Sequence, residues 1–525
     1  MKKLIKFLTT FFCICSVFAI NANAETNVKM DNLLTKSNHH ISALKLEKGF
    51  TKKNNNDFEM LETGALNGFA YTLANGETYG YNLDTYFKPA STEKVITALA
   101  AMLYLGPNFQ FETSLNLEKK AIQNKKIISK NGVLESNVEI VFRGDPYLTR
   151  QHLVELLNVL KTSGIKKIKG DIILNHGYFA GHDYASGWSW DDLSKCFTAP
   201  ASAIVINGNC TYIKLIGRKL NTKPIVEIPK GIPIEVYADD VEVVTANEYY
   251  GGCELEMHRD SKNIYHLSGC IPVQTGKQKP LGLSLAIQDP EQWGIDNMKK
   301  VIEALDLELT GNIVTARKTP DIYAQYASYH SVPLKKMLNK CLKKSVNIIA
   351  DTIVKTIGTK YNKRPANYHT ASFAIRSILK KKGIDIGNAT IIDGSGLSAH
   401  NYITPKQMLN VLNYILEHDK ELNLIELFPV AGMSGTLSGR SSVMKPPLVK
   451  NVTAKTGTLE TVANLAGFMT TQSGAKVPFV YFVNNISYDD KTKRQLQTRR
   501  ISKPHYKHEK ATLENIYNEI PYYKD

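Results

Sequence analysis

The spacing of apolar positions changes character several times along the chain. From residue 66, the run GFAYTLANGETYGYNLDTYFKPA sets β-formers on both sides of Asn75-Gly76, which predicts two short strands around a turn. From Ser91 onward, Val95, Leu99, Met102 and Leu103 recur at helical spacing, with Pro89 just ahead. A different texture runs from about 113 to 325. There NVEIVFRG, DIILNHG, CTYIKLIG and YADDVEVVT are short alternating runs parted by Gly, Pro and Asn, which predicts β-rich organisation. Helical signals return in PLKKMLNKCLKKSVNIIADTIVKTIG (333–358). Leu334, Met337, Leu338, Cys341 and Leu342 share one face of that helix, so Cys341 is expected to be a buried free thiol. Two last strands, ANLAGFMTT and VPFVYFVNN, are joined by Gln-Ser-Gly-Ala-Lys. Helices before and after, with strands between, predict a mixed α/β (α+β) chain in which a long insertion splits one domain.

The first 24 residues carry three lysines, an apolar stretch of about fifteen residues and the small-x-small sequence Ala22-Asn23-Ala24. That is a secretory signal, expected to be cleaved after Ala24. Neither Cys13 nor Cys15 has the lipoprotein-type context, and no later segment reaches eighteen apolar residues. Residues 25 to about 60, with KKNNND, read as a loosely ordered lead-in with one short helix. The expected divisions are 1–24 (signal), 25–112 and 326–525 (two parts of a catalytic domain) and 113–325 (inserted β-rich domains).

Among 525 residues, 43% are hydrophobic and 22% charged, as in a globular protein with a sizeable core. Loss of Lys2, Lys3 and Lys6 with the signal leaves 62 basic against 49 acidic side chains, a net charge of +13. An exported basic chain meets anionic wall or membrane surface rather than nucleic acid. Loose peripheral membrane contact is the most this charge implies, and a homodimer is compatible with it. The densest basic run, 491–510, reads as a solvated face or tail as readily as a docking patch. Cys196, Cys210, Cys253 and Cys270 suit two disulfides in an oxidising compartment. Three pairings are open; Cys196–Cys210 with Cys253–Cys270 is preferred, because the latter brackets a hairpin-like segment. No His-Glu-x-x-His occurs, no metal or other cofactor is expected, and His176 and His182 read as surface residues.

Ser91 and Lys94 lie three positions apart, about one helical turn, on a shared face. The serine could simply cap the helix. As chemistry, the pair sets a weak nucleophile beside an amine that can take its proton once its pKa is lowered. Ser345-Val346-Asn347 offers a hydroxyl and an amide on a turn between helical runs, and Lys455-Thr456-Gly457-Thr458 precedes a strand. Gly457 would let a substrate backbone lie close, beside a cation and hydroxyls. Together and in this order the three motifs form the signature of penicillin-recognising serine acyltransferases.

Longer blocks extend the likeness. PASTEKVITALAAMLYLGPNFQFETSL, GWSWDDLSKCFTAPASAIV, DGSGLSAHNYITP, FPVAGMSGTLSGR and AKTGTLETVANLAGF resemble class C low-molecular-mass penicillin-binding proteins. These are the D-alanyl-D-alanine carboxypeptidases and endopeptidases of the penicillin-binding protein 4 type. The 254 positions between Ser91 and Ser345 fit that class, whose insertion parts these motifs. The resemblance implies helices packed on an antiparallel transpeptidase-type sheet. It also implies peptidoglycan stem peptides and cross-links as substrates and β-lactams as covalent inhibitors. On this reading Ser91 attacks and Lys94 accepts its proton, while Ser345 relays a proton to the leaving amine. Asn347 holds Lys94 and the substrate amide, and Lys455 keeps the site electropositive. The N–H groups of Ser91 and Thr458 form the oxyanion hole, and Thr456 and Thr458 take the substrate carboxylate. Asp192 and Phe197 resemble a pocket for the ammonium of diaminopimelate. Two departures bear on that pocket: Ala399 stands where relatives read arginine, and Glu460 where they often read glutamine. A β-lactamase shares the motifs but not this insertion. A non-catalytic wall-binding homologue would be expected to have lost one of the motif residues.

Overall fold

The computed structural model describes residues 64–521 except 499; the signal and lead-in expectations lie outside them. The first strand pair forms as predicted, with β1 at Leu66–Thr72 and β2 at Thr78–Tyr81. The closing segment supplies β3 (Val452–Leu459), β4 (Val462–Thr470) and β5 (Lys476–Asn484). These five strands make one antiparallel sheet in the order β3-β4-β5-β1-β2. Pairing of β5 with β1 therefore joins the first described strand to the closing segment.

Both faces of the sheet are covered, which explains why β4 and β5 read as continuous apolar runs. Ala70, Ala466, Phe468, Val480 and Phe482 face a core shared with helices α1 (Glu93–Tyr104), α2 (Leu334–Lys344), α3 (Asn347–Asn362), α4 (Tyr368–Lys381) and α5 (Pro405–Glu417). Phe69, Leu465, Phe479 and Val483 pack on the opposite side with Leu513 and Ile516 of α6 (His505–Tyr517). The sequence predicts one apolar stripe on α1, yet everything from Glu93 to Met102 is buried. The helix runs through the middle of the domain, so it buries all its faces, including two charged side chains.

Between these parts lies a second five-stranded sheet. Its order is 313–316, 172–175, 138–141, 112–118 and 323–330. The strands 112–118 and 323–330 pair antiparallel, so the long segment enters and leaves side by side. The β-rich reading is incomplete here, because helices Arg150–Thr162 and Pro290–Ala304 also build this core. The periodicity that marks the first of them is regular: Leu153, Leu156, Leu157 and Leu160 are buried at i, i+3, i+4 and i+7. The preferred disulfides form, with Cα–Cα distances of 5.3 Å for Cys196–Cys210 and 6.0 Å for Cys253–Cys270. Strands Leu255–Arg259 and Ile264–Pro272 are the hairpin expected between the second pair. Cys341 is a buried free thiol, which burial pushes up to about 11.

Two surface expectations are corrected. His176 is buried beside Glu291, 3.6 Å away, although His182 is exposed. The basic run 491–510 is only partly a solvated face: helix 490–497 buries no residue, but α6 buries His505, His508 and Glu509.

Candidate active site

The turn that carries Ser91 is a short 3-10 segment, Ala90–Thr92, running directly into α1. Thr92 Oγ1 donates to the Pro89 carbonyl at 2.7 Å and fixes the turn. Ala90 takes φ 48°, a left-handed conformation that costs an L-residue about 1–2 kcal/mol. No side chain caps this helix start. Instead Lys94 Nζ donates to Ser91 Oγ at 2.8 Å and to the Ser395 carbonyl at 2.5 Å. The cap reading of Ser91 therefore fails, and the pair reading holds geometrically.

A second pair faces the first. Lys455 Nζ donates to Ser345 Oγ at 2.9 Å and to the Thr456 carbonyl at 2.7 Å. Ser345 sits at φ 57° at the end of α2, with Val346 extended before α3 begins at Asn347. Left-handed backbone at two turns of one site is the strain expected where side chains must be aimed. Burial pushes Lys455 well below the usual lysine range, and the charge of Lys94 pushes the same way. Burial also lowers Lys94, against the pull of Cys341, Asp351, Asp393 and Glu93. Two buried amines in one site disfavour double protonation, which leaves one of them available as a base.

Strand β3 is an edge of the sheet and packs against the Ser91 turn. Its first residues are covered, since Ala431 N–H donates to the Val452 carbonyl and Ala454 N–H to the Pro429 carbonyl. From Lys455 onward no such backbone pairing covers the edge among the described residues. An open edge of this kind can accept an extended peptide as an added strand. Gly457 also meets a packing need. A Cβ there would stand 2.5 Å from the Pro89 carbonyl oxygen and 3.2 Å from Thr92 Cγ2. It keeps β3 close to the Ser91 turn. Thr456 Oγ1 donates to Thr436 Oγ1 at 2.9 Å, and Thr458 is exposed on the open edge.

Lys94 is anchored by residues that motif reading missed. Asp351 lies one turn beyond Asn347 on α3, and its Oδ1 accepts from the N–H groups of Gly394 (2.9 Å) and Ser395 (3.1 Å). Asp393 accepts from Gly396 N–H, Ser398 N–H, Asn401 Nδ2 and Trp188 Nε1, all at 2.7–2.9 Å. This loop presents the Ser395 carbonyl to Lys94. Burial, then the charge of Asp393, pushes Asp351 up to about 7; its other oxygen, Oδ2, has no partner among the described residues. Both oxygens of buried Glu93 are likewise without partners among the described residues, and burial raises its pKa well above the usual range. Lys94 thus stands among three buried acids, of which Asp393 is fully hydrogen-bonded. The only signal for this loop was the block DGSGLS, and that through resemblance alone.

Asn347 is placed differently from expectation. Its Nδ2 donates to the Phe197 carbonyl at 2.7 Å, its buried Oδ1 has no partner, and no hydrogen bond joins it to Lys94 among the described residues. The segment around Phe197 is thereby held at the site. Trp188 is buried on Asp393, whereas Trp190 is 81% and Phe197 45% exposed. Asp192 is engaged by Lys195 at 2.5 Å, so an incoming ammonium would compete with that lysine. Ala399 N–H donates to the Gly187 carbonyl at 2.9 Å, and Glu460 is exposed in the turn between β3 and β4.

Cys196 immediately precedes Phe197, so its disulfide bears on this arrangement. Replacing Cys196 and Cys210 by serine is expected to cost about 3 kcal/mol, the value for a loop of this length. It should also loosen the Phe197–Asn347 contact. Thermal melts check the first effect and hydrogen exchange around Phe197 the second; unchanged exchange in a destabilised variant would separate the disulfide from the site.

The D-Ala-D-Ala carboxypeptidase 3 (S13) family matches residues 57–503. The D-alanyl-D-alanine carboxypeptidase DacB of Haemophilus influenzae is 42% identical over 442 residues, covering 84% of this chain and 87% of the relative. The crystal structure of penicillin-binding protein 4 (dacB) from the same organism superposes with a TM-score of 0.80 at 39% identity. That match covers 89% of this chain and 100% of the other. A complex of that protein with a novel β-lactam gives a TM-score of 0.76 at 37% identity, with the same coverage. With the two Ser–Lys pairs in place and the match running through both ends of the sheet, this chain belongs to the D-Ala-D-Ala carboxypeptidase 3 (S13) family.

Proposed function

We propose that this serine D-Ala-D-Ala carboxypeptidase works through a Ser91 acyl-enzyme and also opens D-alanyl cross-links of peptidoglycan. The observation that carries the reading is the convergence of Lys94–Ser91 (2.8 Å) and Lys455–Ser345 (2.9 Å) beside an open strand edge. Ser91 Oγ attacks the carbonyl of the penultimate D-alanine while neutral Lys94 takes its proton. Negative charge develops on the carbonyl oxygen, where the N–H groups of Ser91 and Thr458 receive it. The C–N bond breaks as Ser345 Oγ passes a proton to the leaving amine, and Lys455 holds Ser345. Thr456 and Thr458 take the leaving residue's carboxylate. Water then attacks the ester and restores Ser91. The same attack opens a β-lactam ring, and the drug remains as an ester on Ser91. Asn347 Oδ1, buried and unpartnered, is the group that would accept from the substrate amide. The Asp192–Phe197 segment supplies the side-chain pocket, with Ala399 and Glu460 setting its preference.

Residues 113–325 form an insert in a catalytic domain made of 25–112 and 326–525. The antiparallel pairing of 112–118 with 323–330 supports that division. The chain acts in the periplasm after cleavage behind Ala24. No described helix is long and apolar enough to cross a membrane.

Release of D-alanine from a pentapeptide and cleavage of purified cross-linked muropeptides test the two activities separately. Hydrolysis of the first alone would remove the endopeptidase claim. The acylation rate should also depend on pH in a definite direction. Lys94 must be neutral to act, and burial lowers its pKa from 10.5, so the rate rises with pH and levels off below 10.5. A rate still climbing above 10.5 would contradict Lys94 as the base.

A further inference from the structure

A cavity of about 530 Å³ adjoins the reacting groups, and its two lysines have no part in the mechanism above. Ser345 and Asn347 line it on the catalytic side, Tyr147 and Phe197 supply aromatic walls, and Lys340 and Lys344 of α2 complete it. The two lysines are four positions apart, so they project from one face of the helix. Lys335, on the same helix, is paired with Glu426 at 2.6 Å. Lys340 and Lys344 are exposed and have no ion-pair partner among the described residues. Lys340 Nζ lies 4.9 Å from the Tyr147 ring centroid, which holds its ammonium over the cavity wall. Neutralising the C-terminal end of α2 would account for Lys344, but it would not explain a second cation one turn earlier, stacked on an aromatic ring.

Two unpaired cations in a cleft with apolar walls focus a positive potential that water screens less than on an open surface. We propose that this cavity is a carboxylate subsite for the acyl-side part of the peptide, with Lys340 and Lys344 as its cations. The assignment rests on the carboxypeptidase reading above. A peptide whose amide meets Asn347 carries its preceding residues toward the wall that Asn347 and Phe197 share. An acidic group on those residues then lies within reach of the two ammonium groups, while the aromatic rings cover its aliphatic stem. The proposal needs no metal and no conformational change; it assigns the cavity to the substrate's own charge.

Two synthetic pentapeptides ending in D-Ala-D-Ala test it, differing only in one group. One has a γ-linked D-glutamate with a free α-carboxylate before the diamino residue; the other carries the α-amide there. The protein should prefer the acid by about 5- to 10-fold in kcat/KM, mostly through KM. That preference should shrink as salt is raised. The Lys340→Ala/Lys344→Ala double variant should lose the preference, keeping its rate on the amidated peptide within about twofold. An unmodified protein that does not discriminate, or a double variant slowed equally on both peptides, would overturn the subsite. D-alanine release from neither peptide by the unmodified protein would overturn the carboxypeptidase reading itself, and the subsite with it.

Discussion

Ser91→Ala is expected to lower D-alanine release by about 10³-fold or more while leaving the fold intact. The hydroxyl oxygen is the only heavy atom removed, and no helix cap depends on it. It caps no helix, and its partner is the Lys94 amine at 2.8 Å. The turn is held by Thr92 Oγ1 on the Pro89 carbonyl and by Gly457 closing against Pro89, neither of which changes. Stability should therefore move by no more than about 0.5 kcal/mol. Substrate binding should survive too, because the open edge of β3 and the Lys455–Ser345 pair remain. Steady-state release of D-alanine, with peptide binding measured on the same variant, separates lost chemistry from lost binding. Ordinary turnover by a folded Ser91→Ala protein would dismiss Ser91 as nucleophile.

The largest stability effect is expected at the clamp that seats α6 on the outer face of the sheet. Arg440 Nε donates to Glu509 Oε1 at 2.7 Å, Arg440 also bonds Glu509 Oε2, and Ser442 Oγ donates to Oε1 at 2.5 Å. The two charged side chains are 5% and 0% exposed. Burial works against the Glu509 charge, yet Arg440 and these hydrogen bonds hold its pKa below the usual range. Arg440→Ala strands a buried carboxylate and should cost about 3–5 kcal/mol. Exchanging both partners for apolar residues of similar volume should cost less, since no buried charge is then left alone. The pH dependence has a definite sign. Glu509's contribution is present above its unfolded pKa and is lost as pH falls through its folded value. The deficit of Arg440→Ala should therefore narrow as acid protonates the stranded carboxyl. Denaturant unfolding at several pH values checks this; a loss under 1 kcal/mol at neutral pH would show that the clamp carries no weight.

Much of the framework was legible from periodicity and turn chemistry. Asn75-Gly76 marks the β1–β2 turn, the stripe through Cys341 marks α2, and Gln-Ser-Gly-Ala-Lys marks the β4–β5 turn. The candidate site was legible where chemistry sits in short motifs. Ser91 and Lys94 need only three positions to meet. The support of Lys94 is another matter, because the Ser395 carbonyl it bonds is 301 positions away. Asp351, Asp393 and Glu93 look like ordinary acids until folding buries them around one amine. Asn347 likewise has a partner that its motif does not show, since Phe197 reaches it from 150 positions upstream. Short-range patterns specify elements and motif turns, whereas the electrostatics of a buried amine depend on which distant loop closes over it.

Covalent capture puts the Ser91 acyl-enzyme to the plainest test. The mature protein is incubated with a fluorescent penicillin, denatured and run on a gel, beside Ser91→Ala. The expected result is a persistent labelled band that maps to the peptide containing Ser91 and is absent from the variant. An unlabelled protein, or equal labelling of the variant, would contradict a Ser91 acyl-enzyme.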